Sequence, residues 1–229
     1  MRVLNATQFK GAPDFGEKLP VVYEQFIFDG VTHANTGTQL NTDNLKARMA
    51  GNALVCLDVE THGSPQELKG LTRWADTYGD APFGYFGSAL EIHDPRILVS
   101  GSSQQIAWMA LFDQYANILR NTDALFPSLY TWIADPIAWA DSAVLMIEQY
   151  RRVAPNLPVY PFVWMESPLD GQEGWSVGDA MWHLQIKTLS RLCDGVVVWG
   201  GYRKIAGSWV QQPWDINNKW LPILNAINM

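Results

Sequence analysis

Residues 51–63, GNALVCLDVETHG, begin as an apolar strand and end in two acids, Asp58 and Glu60, with only Val59 between them. Side chains at i and i+2 of a strand share a face. Leu54, Cys56, Asp58 and Glu60 therefore fall on one side, and Val55, Leu57 and Val59 on the other. The Val-Leu-Val side suits packing against helices. The opposite side would run through an interior and emerge at a strand end as a pair of carboxylates.

Working outward, six further runs have strand length and composition: 2–9, 20–28, 83–88, 125–131, 158–165 and 195–201. Longer segments of helical period separate most of them, and that alternation predicts βα units around a parallel sheet. Seven strands are one short of the standard eight-fold barrel. The expected fold is α/β, a distorted seven-stranded (β/α) barrel of the TIM type, with residues 1–229 as one catalytic domain; barrels of this length commonly do not split. The polar segment 33–44 reads as a loop overhanging the cleft.

Helix starts carry physical signals. Ser64, Pro65 and Glu67 suit an N-cap, a first helical position and a capping box, followed by Leu68, Leu71, Ala75 and Tyr78 at helical spacing. Residues 102–120 read as a long crossover helix capped by Ser102 or Ser103, with Ile106, Met109, Ala110 and Phe112 or Asp113 marking its turns. Asp135 before Pro136 opens another helix, which closes on Arg151 and Arg152, charges that complement both ends of its dipole. Ser176 and Asp179 have capping-box spacing ahead of a helix running to Leu192, and the tail from Trp214 to Ile227 predicts a last helix interrupted near Pro222.

Composition narrows the function. With 48% hydrophobic and 17% charged residues the chain can bury a sizeable core, and no run approaches the roughly 18 apolar residues of a membrane span. Sixteen basic against 23 acidic residues, a net charge of -7, remove the electrostatic basis for generic binding to nucleic acid or anionic membranes. The N-terminus shows no signal-peptide pattern; the expected setting is cytoplasmic or phage- or virion-associated, or one reached by a non-classical export route. Cys56 and Cys193 lie in apolar strand-like runs, where cysteine acts as a small hydrophobe. They predict neither a disulfide framework nor a metal site. His62 and His93 follow strands, but a metal centre needs three or four ligands, and no H-x-H or H-E-x-x-H pattern occurs. The absence of G-x-S-x-G, P-loop and G-x-G-x-x-G motifs leaves no cofactor to expect.

In a parallel barrel the C-terminal strand ends meet at one face and carry the chemistry. Besides Asp58 and Glu60, the strand ends deliver Tyr130, Trp164, Glu166 and Trp199, the last followed by Gly200 and Gly201, which allow close backbone approach. Two neighbouring carboxylates push the more enclosed one towards its neutral form, so that one remains a proton donor near neutral pH. Aromatic faces suit the C–H faces of a sugar ring. Acids, a phenol and an aromatic floor around one mouth are the parts of a carbohydrate-cleaving site. Each also has a plain structural reading: an acid can cap the helix at Ser64 or pair with a buried Arg, and Tyr130 and Trp199 can be core fillers. The chain is rich in tryptophan, with eleven, and Trp175, Trp209 and Trp214 can serve either a cleft or a partner surface.

At these residues the chain resembles the animal and venom hyaluronidases. RVLNATQF is similar to that family's opening strand with W-N-A-P, ALVCLDVE to its acid strand ending D-W-E, and FGYFG to its W-G-Y-Y strand. ALFPSLYT, LPVYPFVW and DGVVVWGG follow in the family's order. The resemblance implies a polysaccharide substrate containing N-acetylhexosamine and a retaining mechanism assisted by the substrate. Glu60 would be the general acid/base, Asp58 would orient the acetamido group, Tyr130 would hydrogen-bond near it, and Trp199 would floor the subsite. Trp164, Tyr85, Glu166 and Glu91 complete the expected substrate contacts. The chain departs from the family where F-P-D-C-Y is expected: GSALEIHD places Glu91 and Ile92 there. It also lacks the family's disulfides, secretory signal and evident basic residues. Two other readings stand beside this one: a two-carboxylate retaining glycosidase using Glu60 and Glu166, and a non-catalytic glycan-binding or phage structural protein on the same barrel.

Overall fold

The computed structural model describes residues 1–29, 39–60, 64–87, 90–92, 100–169, 175–215, 217 and 220–228. The first strand, β1 (Arg2–Thr7), is followed by β2 (Glu17–Lys18), β3 (Val21–Tyr23) and a single helical turn, α1 (Glu24–Ile27). Next come α2 (Thr42–Met49), β4 (Val55–Asp58), α3 (Pro65–Tyr78) and β5 (Phe83–Tyr85), then two long helices, α4 (Ser103–Leu119) and α5 (Pro136–Val153). β6 (Phe162–Trp164), α6 (Asp179–Leu192) and β7 (Gly195–Gly200) lead to an antiparallel hairpin, β8 (Tyr202–Ile205) with β9 (Ser208–Gln211), and to α7 (Trp220–Asn228). No helix among the described residues is long and apolar enough to cross a membrane.

The architecture is mixed α/β with two parallel sheets, one ordered β2-β1-β7-β6 and the other β3-β4-β5. Backbone bonds link them on both flanks. On one side Leu19 N donates to Asn5 O at 2.9 Å and Cys56 N to Pro20 O at 3.0 Å, so residues 17–23 leave β1 and join β4. On the other, single parallel bridges pair Phe86 with Phe126, Leu125 with Val159 and Ser128 with Phe162. The run expected as a strand over 125–131 is therefore a string of bridges. Pro127 has no N–H to give a ladder, although its carbonyl accepts from Phe162 N at 2.7 Å.

The strand alternation in the acid segment is realised. Leu54 and Cys56 join an inner cluster with Leu4, Phe126, Phe162 and Val197, whereas Val55, Leu57 and Val59 pack in the larger cluster under the helices. Burying an apolar side chain of this size contributes about 1.5–3 kcal/mol, which fixes the register, since a slip by one residue would reverse every side chain. At β5 the two layers come very close: a Cβ on Gly84 would lie 2.2 Å from Ala124 O.

Three of the helix starts follow their sequence signals. Ser64 and Glu67 form the capping box ahead of Pro65, Ser102 Oγ accepts from Gln105 N at 3.1 Å, and Asp135 accepts from Ile137 N and Ala138 N. Elsewhere the structure corrects the reading. β3 stops at Tyr23 because Glu24–Ile27 closes a turn, with Phe28 N bonding to Glu24 O at 3.0 Å; a short apolar run does not distinguish strand from turn. Segment 33–44 is not wholly loop, since α2 opens at Thr42 with Asn41 accepting from Asn44 N, while 33–38 lie outside the described residues. α6 is entered through Gly178 at φ 88°, with Ser176 Oγ accepting from Gly178 N instead of capping the helix. Pro222 does not interrupt α7. It occupies the first turn, where no intrahelical N–H bond is lost.

The apolar stripes also sit differently: α4 buries Trp108, Phe112 and Tyr115, whereas Ile106 is exposed, as is Tyr78 on α3. Cys193 caps the end of α6 rather than lying in a strand, and both cysteines are free.

Candidate active site

The cleft is assembled from strand ends. Asp58 is the last residue of β4, directly paired in register with Tyr23 at the end of β3, and Glu60 follows two positions on. Both acids line a cavity of about 500 Å³ together with Tyr23, Tyr130, Trp164 and Trp199. That volume falls within the range of about 300–1,000 Å³ usual for small-molecule sites. Asp58 is half-buried, whereas Glu60 is exposed at the rim.

The aromatic wall is mutually braced. Trp164 meets Trp199 edge-on with ring centroids 4.8 Å apart, and Tyr130 lies 5.5 Å from Trp164 and 5.9 Å from Trp199. Such pairs contribute about 0.5–1.5 kcal/mol each beyond their buried area, so the rings are held as a rigid surface. Trp199 is further fixed by its Nε1, which donates to Tyr23 Oη at 3.3 Å. Gly200 and Gly201, at φ 147° and 107°, turn the chain away just beyond Trp199. A Cβ on Gly201 would stand 2.6 Å from Phe9 N, so glycine is required by space as well as by conformation.

Acids dominate the electrostatics. Asp58 Oδ1 is buried and has no hydrogen-bond partner among the described residues. Burial pushes the Asp58 carboxyl well above the usual range, and the nearby charges of Glu60, Glu24 and Glu91 push it further. Glu60 is raised by burial first, then by Glu91 and Glu24. A solvent-exposed residue can still have a partly enclosed carboxyl, and its neighbours' like charge needs no burial to act. The like charges of the acidic cluster fall most heavily on Asp58, which keeps its proton into a range where isolated carboxylates have lost theirs. Burial and the charge of Asp58 raise Tyr130 as well, and burial brings Tyr23 up to about 12. Both phenols therefore remain O–H donors at neutral pH. Beneath them, burial raises the Cys56 thiol well above its usual value and leaves it a packing group.

The structure thus brings together Asp58, Glu60, Tyr130, Trp164 and Trp199, and places three other expected contacts elsewhere. Tyr85 points to the opposite side of its strand, 5% exposed, with its hydroxyl 3.0 Å from Thr72 Oγ1 under α3. The parity of β5 decides this: Gly84 takes the inner position and Tyr85 the outer. Glu166 is also 5% exposed and does not line the cavity; its Oε2 accepts from Trp164 Nε1 and from Gly201 N, each at 2.9 Å. It braces the aromatic wall instead of facing the cavity. Glu91 stands one layer back, accepting from Ser128 Oγ and from Trp132 Nε1 at 2.6 Å. His62 and His93 lie outside the described residues, and among those described no group of three or more His, Cys, Asp or Glu is arranged to hold a metal ion.

Gln8, Tyr23, Gln25, Trp132 and Tyr202 also line the cavity and, Tyr23 apart, carry no local mark of a site residue, and Trp209, which could serve a cleft or a partner surface, lines the cleft. The signal for Tyr23 was available in the break from PVVY to the polar pair Glu24-Gln25, which marks a strand end. Trp175 and Trp214 do not line the cleft: Trp214 packs against Phe9 and Trp220, and Trp175 lies under the guanidinium of Arg203 at 4.2 Å.

No family model matches the chain, and no curated protein matches it in sequence. Among solved structures, the monoclinic crystal structure of bee venom hyaluronidase is similar, with a TM-score of 0.61 over 81% of this chain and 79% of that one. The identity is 13%, so the likeness is one of fold. It agrees with the mixed α/β architecture and suggests a distant relation to that fold.

Proposed function

We propose that the chain is a retaining glycoside hydrolase that cleaves a polysaccharide containing N-acetylhexosamine, with the substrate's own acetamido group as nucleophile. In this reading residues 17–23, β4, β5, 125–128, β6, β7 and β1 act as the seven staves of one barrel whose mouth is the cleft. The observation that carries the reading is the pair Asp58 and Glu60 on one strand end, facing the aromatic cavity, with Asp58 Oδ1 buried and unpartnered. A buried carboxylate oxygen without a partner is costly, and an amide N–H of the substrate would satisfy it.

The steps balance without any added group. Glu60 gives its proton to the glycosidic oxygen as the C1–O bond breaks, and the acetamido carbonyl oxygen bonds to C1, closing an oxazolinium ring. Asp58 releases its proton to solvent as the acetamido N–H reaches Oδ1, and the resulting carboxylate accepts that N–H and offsets the positive charge that develops there. Water then gives a proton to Glu60, attacks C1 from the face the leaving group vacated, and reopens the ring with net retention. Tyr130 donates its O–H near the acetamido group, and Trp199 stacks beneath the sugar. Glu166 is already engaged by Trp164 and Gly201, which argues against the alternative that uses it as a nucleophile.

The direct test is a reducing-end assay over oligosaccharides of chitin, peptidoglycan, hyaluronan, chondroitin and capsular glycans, with proton NMR of the first product. Release of a reducing N-acetylhexosamine with the anomeric configuration of the substrate is expected from at least one. Binding without product across the panel would favour a non-catalytic glycan-binding module.

A further inference from the structure

The hairpin of β8 and β9 rises from the rim directly after Gly201, and its register divides its side chains between two faces. Tyr202 pairs with Gln211 and Lys204 with Trp209, while Arg203 pairs with Val210 and Ile205 with Ser208. Partners across an antiparallel pair share a face, and faces alternate along the strand. Tyr202, Lys204 and Trp209 thus share one face, and Arg203, Ile205 and Val210 the other. The first face is the one turned to the cleft, because Tyr202 and Trp209 both line the cavity. On the second, Arg203 covers Trp175, and Ile205 and Val210 are exposed.

Trp209 is the unusual member. It is 51% exposed, yet its ring centroid stands 6.0 Å from Trp164, tilted by 47°, so it continues the aromatic wall outward past the acids' floor. Tyr202 extends the same wall beside Trp199, nearly parallel to it at 6.4 Å and 24°. The hairpin is tethered at its base. Gly201 N donates to the buried Glu166 carboxylate, Gln212 N to Gly201 O at 2.8 Å, and Gln211 Nε2 to Gln8 O. Gln8 in turn lies at the end of the first-strand segment and lines the cavity. A hairpin fixed at its base has less backbone freedom left to lose when a ligand stacks on it.

We propose that this hairpin carries an outer sugar subsite, with Trp209 as the stacking platform and Tyr202 joining it to the inner floor at Trp199. The cleft would then hold at least two consecutive sugars, one over Trp199 at the acids and one against Trp209, and would prefer polymer chains to single N-acetylhexosaminides. The ligand class is a pyranoside chain whose outer unit presents its C–H face to an indole. This inference rests on the glycosidase reading of the inner site.

The test is isothermal titration and steady-state turnover for chitin, hyaluronan and chondroitin oligosaccharides two to eight sugars long, on wild type, Trp209→Ala and Trp209→Phe. Wild-type affinity is expected to rise with chain length. In Trp209→Ala the long-to-short affinity ratio should fall about tenfold, as loss of one well-packed aromatic anchor implies, through KM rather than kcat. Trp209→Phe should restore most of it, which loss of folding would not allow. Wild-type turnover whose chain-length preference is untouched in Trp209→Ala overturns the subsite and leaves the glycosidase reading standing. A wild type that neither binds nor cleaves any of these chains overturns both.

Discussion

Glu60→Gln is expected to lower kcat by about 10²–10⁴-fold, the usual contribution of a positioned general acid, while glycan affinity stays close to that of wild type. Glutamine keeps the size and hydrogen-bonding reach of Glu60 but has no proton to release to the leaving oxygen. Glu60 is exposed, so its replacement removes no core packing. The pH profile supplies a second reading. Burial together with Glu91 and Glu24 raises Glu60, so the alkaline limb of wild-type kcat/KM should lie above the ordinary carboxylate range, and the residual activity of the variant should lack that limb. Stopped assays across pH, with separate titration calorimetry for affinity, check both parts. Full turnover in Glu60→Gln would remove the acid from the mechanism.

Asp58→Asn should cost about 10²–10³ in kcat, the loss typical when one preorganised electrostatic contact to the transition state is removed. Asparagine can still accept the acetamido N–H through its carbonyl, but it brings no negative charge to the oxazolinium. The same substitution should stabilise the fold at neutral pH. Asp58 has a folded-state pKa well above its unfolded value, so the native protein holds that proton more tightly than the unfolded chain does. Its contribution is fully present below about pH 4, where both states are protonated, and is lost as pH rises through the folded-state value. Asp58→Asn should therefore melt above wild type at pH 7, with the gain shrinking as pH falls towards 4. A variant that loses turnover and gains stability marks a group kept for chemistry at the expense of the fold. One that loses both marks a structural role.

Much of the architecture was legible because periodicity and capping chemistry are local. Leu54 and Cys56 inside with Val55, Leu57 and Val59 outside follow from a period of two alone, and the capping box at Ser64 and the Asp135 cap follow from residues three apart or fewer. What failed depended on distant partners. Nothing local in FGYFG says that Ala124 and Phe126 approach Gly84 so closely that Tyr85 must face the helices. Glu166 looked like a strand-end acid, and only the turn at Gly201 shows that its carboxylate is taken by a backbone N–H. The hairpin that brings Trp209 over the cleft lies in a segment with no strong apolar alternation, so its register, not its composition, reveals the cleft-facing side.

The proposal that the substrate supplies its own nucleophile is tested most directly by changing that nucleophile. On the glycan that the wild type cleaves, the acetamido group at the scissile sugar would be replaced by trifluoroacetamido, and kcat/KM compared for the two. Fluorine withdraws electrons from the carbonyl oxygen that must attack C1, so the account predicts a fall of about a hundredfold or more, equivalent to roughly 2.7 kcal/mol of transition-state stabilisation. Equal rates for the two substrates would contradict it.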